Sequence, residues 1–252
     1  MPKTELVLSS ATTFFTGRLE AAFRRAKKHG FRYLEILPYR WTTPEEVLAL
    51  EKKYDIQVAG IHLPLWWHKT YWQLLREPTG LFEKIFNFTV QFYLNGAAKN
   101  TAWKILEALP AERPYLLFHA NLISEMDRDK LAELKKKYNV VIENIPPLMA
   151  KTRPEWDLLE IKKNAPPVMD PAHYGPLRPE LPDIYRQVLP NIVHIGYEHG
   201  FFFQHDLPNE KEFTALRHLL QIHSPRYLVL ETYPWISVKK GKQVMEKLVR
   251  EL

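Results

Sequence analysis

Eight short apolar runs punctuate the chain: ELVLSS (5–10), FRYLEIL (31–37), QVAGIH (57–62), YLLFH (115–119), VVIEN (140–144), PVMD (167–170), NIVHI (191–195) and RYLVLE (226–231). Most are continuously apolar rather than alternating, as parallel strands covered on both faces should be. Between them lie amphipathic segments such as GRLEAAFRRAKKHG, TPEEVLALEKKYD, SEMDRDKLAELKKKYN, RPEWDLLEIKKN and NEKEFTALRHLLQIHS. Several open with Thr-x-x-Glu or Ser-x-x-Asp, or place proline early, which are helix-start signals. Eight strand–helix units predict an α/β fold, a (β/α)₈ TIM barrel forming a single domain over residues 1–252. A doubly wound sheet is the alternative, but no Gly-x-Gly-x-x-Gly follows the first run.

Residues 63–110 form one unit longer than the rest, opening LPLWWHKTYWQLL with Trp66, Trp67, Tyr71 and Trp72. Because it follows the third strand's C-terminal end, its first part is expected at the mouth of the barrel as a lid or stacking surface, or as a local satellite core.

Composition narrows the chemistry. The chain has no cysteine, which removes disulfides, thiolate zinc sites and cysteine nucleophiles, so a bound metal must be held by His, Asp and Glu. No apolar run approaches a membrane span, and MPKTELVLSS lacks the sections of a signal peptide, so a soluble cytoplasmic protein with no membrane partner is expected. The formal charge of +6 admits a nucleic-acid or phosphorylated partner. Much of that charge lies in RRAKKHG, ELKKKYN and VKKGKQ, on helix surfaces and ends, where Lys and Arg complement the helix dipole.

The ends of the predicted strands carry the chemistry. Strand three ends in His62, four in His119, five in Glu143, six in Asp170, seven in His194 and eight in Glu231. With 29 acids and 10 histidines in 252 residues, chance does not readily put such residues at six of eight strand ends. A parallel barrel delivers those ends to one rim, and converging imidazoles and carboxylates repel unless a cation sits among them. They therefore mark a candidate divalent-metal site. Plainer roles exist: His62 as a hydrogen-bonded core histidine, Glu143 as an arginine partner, Asp170 as a helix cap. Glu35, in YLEIL, points near the rim and reads as structural, bonding backbone or a neighbouring loop. His68, His199, His218 and His223 receive no role.

The stretches GFRYLEIL, IQVAGIHLP, LLFHAN, VVIENIP, VMDPAHYG, IVHIGYEHGFFFQHDLP and YLVLETYP, in this order, resemble the xylose isomerase-like TIM-barrel superfamily, which includes sugar-phosphate isomerases and epimerases and the endonuclease IV group. The likeness covers nearly the whole chain. It implies a metal quartet of Glu143, Asp170, His194 and Glu231, with Glu143 and Glu231 also catalytic. In the endonuclease IV group a second zinc would use His62 and His119 with Glu143 bridging, and a third would use His173, His205 and an aspartate two residues before the latter. Here that position is Phe203, with Asp206 and Glu198 as nearby acids, and the usual glycine-rich turn is replaced by HDLPNE.

Two enzymes and one binding module follow from this reading. The first is an isomerase or epimerase of a sugar, sugar phosphate or similar hydroxy-carbonyl compound. It would use one Mn, Mg, Co or Zn ion and move a proton between carbon and Glu143 or Glu231 through an enediolate. His173, His205, Trp66 and Lys69 would contact substrate, and Arg40, Lys151, Arg153 and Arg178 are further rim cations. The second is a zinc-dependent abasic-site phosphodiesterase whose partner is DNA. The third is a barrel that binds ligand without catalysis.

Overall fold

The computed structural model describes residues 4–63, 101–110, 114–120, 128–144, 158–171, 181–198, 205–232 and 234–252. All eight predicted strands form: β1 (Glu5–Ser9), β2 (Tyr33–Ile36), β3 (Gln57–His62), β4 (Tyr115–His119), β5 (Asn139–Glu143), β6 (Pro167–Met169), β7 (Ile192–Ile195) and, after a short hairpin, β10 (Tyr227–Leu230). They close into one barrel in the order β1-β10-β7-β6-β5-β4-β3-β2, every neighbouring pair parallel. Among the described residues the α-helices are α1 (Leu19–Lys28), α2 (Pro44–Tyr54), α3 (Ala102–Ala108), α4 (Arg128–Lys137), α5 (Leu158–Asn164), α6 (Leu181–Val188), α7 (Glu210–Ile222) and α8 (Val238–Arg250). A 3₁₀ segment, Ser10–Thr16, follows β1. The barrel is the fold that the alternation of runs predicts.

The helix starts obey their local chemistry. Thr43 accepts from Glu46 N–H at 3.2 Å ahead of Pro44 in α2. Asn209 and Glu212 form a reciprocal capping box on α7, and Glu212 is buried by doing so.

Side chains alternate between the helix-facing shell and the barrel interior. Leu8, Leu34, Leu116, Phe118, Ile142, Val193, Leu228 and Leu230 join the large outer core. Val7, Ala59, Tyr115, Leu117, Val141, Val168, Ile192, Tyr227 and Val229 fill the interior, with Tyr33 against them. This apolar interior lies below the C-terminal strand ends and leaves the site above it a dry floor.

A bulge in β3 departs from simple alternation. Leu34 pairs with Val58 but Glu35 with Gly60, so Ala59 is an extra residue. Val58 and Ile61 both face the outer core, three residues apart, and the displaced pleat turns His62 inward. Gly60 is required at the same place, because a Cβ there would lie 2.1 Å from Tyr115 Cε2. Gly241 likewise lets α8 press onto β10, since a Cβ at that position would lie 2.6 Å from Leu230 Cδ2.

The antiparallel hairpin β8 (Tyr197–Glu198) and β9 (His205–Asp206) has no counterpart in the hydrophobic pattern. Its two-residue strands are too short to show a period. Most of the aromatic-rich unit 63–110, including Trp66, Lys69 and Trp72, lies outside the described residues, as do His173, Phe203, Lys151, Arg153 and Arg178. Among the described residues no helix is long and apolar enough to cross a membrane.

Candidate metal centre

The six strand-end residues do converge. His62, His119, Glu143, Asp170, His194 and Glu231 are all buried, and Glu231 retains 8% exposure. Among the described residues three overlapping groups of ligand atoms form, one of which joins Glu35 to His62, His194 and Glu231; the two without Glu35 are Glu143 with Asp170, His194 and Glu231, and His62 with His119 and Glu143, and within each group all lie within 4.8 Å of one another. Glu143 belongs to both.

In the first group His194 Nδ1 stands 2.8 Å from Glu143 Oε1 and 2.7 Å from Glu231 Oε2. Yet neither His194 Nδ1 nor either Glu143 oxygen makes a hydrogen bond among the described residues, although all three atoms are buried. Buried acceptors crowded together without hydrogen-bond geometry are costly unless a cation satisfies their lone pairs. The donor set of two Glu, one Asp and one His suits a hard or borderline divalent ion. In the second group His62 Nε2 and His119 Nε2 are 3.3 Å apart and lie 3.5 and 3.3 Å from Glu143 Oε2. Two imidazoles and a carboxylate match zinc's preferences. The residues of each group would therefore suit a divalent ion, and Glu143 would be shared between them.

Asp170 is held by a residue to which the sequence pattern assigns no role. Asn144 donates from Nδ2 to the Asp170 carbonyl at 2.9 Å and accepts the Asp170 N–H on Oδ1 at 2.8 Å. This two-point contact extends the β5–β6 pairing beyond Glu143, where the short β6 runs out of ladder. Its only trace in sequence is an Asn directly after the strand-end Glu.

Glu35 corrects the sequence reading. Its bonds among the described residues are to side chains, not to backbone or a loop: it is fully buried in the barrel interior and meets His62 Nδ1 at 3.1 Å and His194 Nε2 at 3.3 Å, while Tyr115 donates its hydroxyl at 2.6 Å. The β2–β3 register sets it level with the bulge, facing the same interior as His62.

The electrostatics follow from these contacts. Burial opposes ionisation of Glu35, but the His194 and His62 charges and hydrogen bonds overrule it and hold the carboxyl down at about 2. Burial would lower the His62 imidazolium, yet Glu231, Glu35 and Glu143 raise it to about 9. His194 is likewise lifted well above the usual range, since Glu143, Glu35 and Glu231 together outweigh its desolvation. Burial and the Glu35 charge keep the Tyr115 phenol protonated and donating. No Lys or Arg among the described residues pairs with Glu35 or Glu143, so the alternative of an arginine partner for Glu143 has no described support.

The remaining predicted residues are placed in part. His205 pairs in register with Glu198 across the β8–β9 hairpin, and Asp206 with Tyr197. Asp206 Oδ1 accepts from Leu207 N–H. Arg40 is exposed, as is His218. Two exposed tryptophans carry no signal in the sequence pattern: Trp235, after β10, and Trp41, after β2, which stacks on Tyr39 at 5.6 Å.

A closed parallel barrel with acids and imidazoles gathered at its strand ends defines the class of fold, and solved structures share it. A xylose isomerase domain protein from Alicyclobacillus acidocaldarius subsp. acidocaldarius superposes with a TM-score of 0.58 at 16% identity, covering 98% of this chain and 99% of that one. An AP endonuclease of family 2 from Brucella melitensis gives 0.59 at 15% identity, again over 98% and 99%. The 3-keto-D-glucoside 4-epimerase of E. coli gives 0.58 at 17% identity with the same coverage. The chain thus shares the closed parallel-barrel fold of these proteins. No family model matches the sequence, and no curated protein is significantly similar to it.

Proposed function

We propose that the protein is a divalent-metal-dependent isomerase or epimerase of a sugar or sugar-like hydroxy-carbonyl compound. The observation that carries this reading is the complete Glu143–Asp170–His194–Glu231 group, buried and assembled from four consecutive positions around the barrel. Fold relatives that include a 3-keto-D-glucoside 4-epimerase and a D-psicose 3-epimerase support it. These four residues would hold the ion, which when bound polarises a substrate carbonyl and stabilises negative charge on oxygen.

The chain's own groups would do the rest. Glu231 and Glu143 flank His194 Nδ1 and supply two carboxylates, one to take a proton from the carbon beside the carbonyl and one to return it. Glu231 keeps some exposure and is the better placed to meet substrate, whereas Glu143 is wholly buried with Oε2 turned toward His62 and His119. The apolar floor of Leu117, Val141 and Val229 limits water at the reacting carbon. His173, His205, Trp66 and Lys69 remain the proposed substrate contacts.

The test is hydrogen exchange. Metal-loaded protein incubated with a panel of ketoses and aldoses in D₂O should introduce deuterium next to the carbonyl of at least one sugar, and Glu231→Gln should abolish it. No exchange with any member would count against the proposal. A second reading, abasic-site phosphodiester cleavage, is favoured by one observation, the second ligand group of His62, His119 and Glu143. It would be preferred if the protein carried two or more zinc ions and cleaved an abasic-site duplex.

A further inference from the structure

Glu35 contacts both ligand groups at once. Its Oε1 faces His62, a member of the pair with His119, and its Oε2 faces His194, a member of the quartet. An ionised carboxylate only accepts hydrogen bonds, so each imidazole nitrogen that bonds it must carry the proton. That assigns the Nδ1–H form to His62 and the Nε2–H form to His194. The opposite nitrogens are the ones left to ligate once they give up their protons, and they are aimed at the other ligands: His62 Nε2 toward His119 and Glu143, and His194 Nδ1 toward Glu143 and Glu231.

We infer that Glu35 is a positioning residue shared by the two metal subsites, fixing the tautomer and the ring orientation of one histidine in each. The inference rests on the metal reading proposed above. Tyr115 completes the device: its hydroxyl occupies Oε2 alongside His194, and its ring is seated against Gly60 with no room for a Cβ. A carboxylate behind a ligating imidazole both orients the ring and raises its basicity. One carboxylate behind two imidazoles of different subsites makes their metal affinities interdependent.

A glutamine at this position discriminates. Its amide offers one oxygen and one NH₂, so it cannot accept from both histidines. With the oxygen kept by Tyr115 and His194, the NH₂ faces His62 Nδ1 and drives that ring to the Nε2–H form, which cannot ligate through Nε2. Zinc binding to purified wild type and Glu35→Gln would be followed by equilibrium dialysis, with long-range ¹⁵N NMR reading the histidine tautomers. In the zinc-loaded wild type His62 should be Nδ1–H and His194 Nε2–H. In Glu35→Gln the His62 tautomer should switch, and zinc should bind at the His62–His119–Glu143 position about 10- to 100-fold more weakly than in the wild type, with a smaller loss at the quartet.

Unchanged zinc binding at both positions, or the opposite tautomers in the wild type, would overturn the inference. Wild type that takes up no zinc, cobalt or manganese at all would overturn the metal reading itself, a distinct result. Should Glu35→Gln not fold, as judged by circular dichroism, Tyr115→Phe keeps the ring against Gly60 and removes only the hydroxyl. Weaker zinc binding in that variant supports the assignment, and unchanged binding refutes it.

Discussion

At the scale of single residues, Glu143 has the most concentrated set of contacts. Neither of its buried oxygens makes a hydrogen bond among the described residues, and each faces a different ligand group. Glu143→Gln should therefore reduce turnover in either proposed reaction by about 10²- to 10⁴-fold, the scale of a lost proton-transfer group, while the circular dichroism spectrum stays unchanged. Protonation at His62 has a clear sign. Its folded value of about 9 lies above its ordinary 6.5, so its pairing with Glu35 and Glu231 stabilises the metal-free protein fully below about pH 6.5 and is lost as pH rises through 9. Glu35, depressed from 4.5 to about 2, contributes above about pH 4.5 and loses its contribution as pH falls through 2. A divalent ion must displace the proton on His62, so zinc affinity measured by calorimetry should climb between pH 6.5 and 9 with proton release; a flat profile would contradict the assignment.

The secondary-structure elements bring that chemistry into register through a few small devices. The extra residue in β3 is the chief of them, because without it His62 would face the helices rather than Glu35. Gly60→Ala should destabilise the fold by at least about 2 kcal/mol in urea denaturation, since the new methyl would meet the ring of Tyr115, held in the packed interior, rather than a flexible side-chain end. Asn144→Ala removes both hydrogen bonds that fix the Asp170 backbone, and should weaken metal binding with a smaller loss of stability, on the order of 1–3 kcal/mol. An Asn144→Asp variant would keep the acceptor and lose the donor, and should fall between.

For the molecule as a whole, the barrel's closure brings residues as far apart in sequence as Glu35 and His194 to within hydrogen-bond distance. Four carboxylates and three imidazoles then share one buried volume. A bound ion would relieve their repulsion in the folded state alone. Removing metal with a chelator should therefore lower the melting temperature, and restoring it at about 100 times its Kd should return about 2.7 kcal/mol. Equal melting temperatures with and without metal would show that these residues hold none.

The sequence by itself determined the strand–helix alternation, and with it the barrel, because continuous apolar runs between amphipathic segments can be satisfied in few other ways. It also singled out the six strand-end residues that the barrel gathers, because a parallel barrel sends every such end to one rim. Glu35 and Asn144 escaped it for different reasons. Glu35 depends on a one-residue bulge that no hydrophobic period reveals, and Asn144 on a side-chain contact to the Asp170 backbone just past the end of the short β6. Only the tertiary structure decided that one carboxylate stands behind two histidines, since that pairing is set by strand register across the barrel and not by any spacing along the chain.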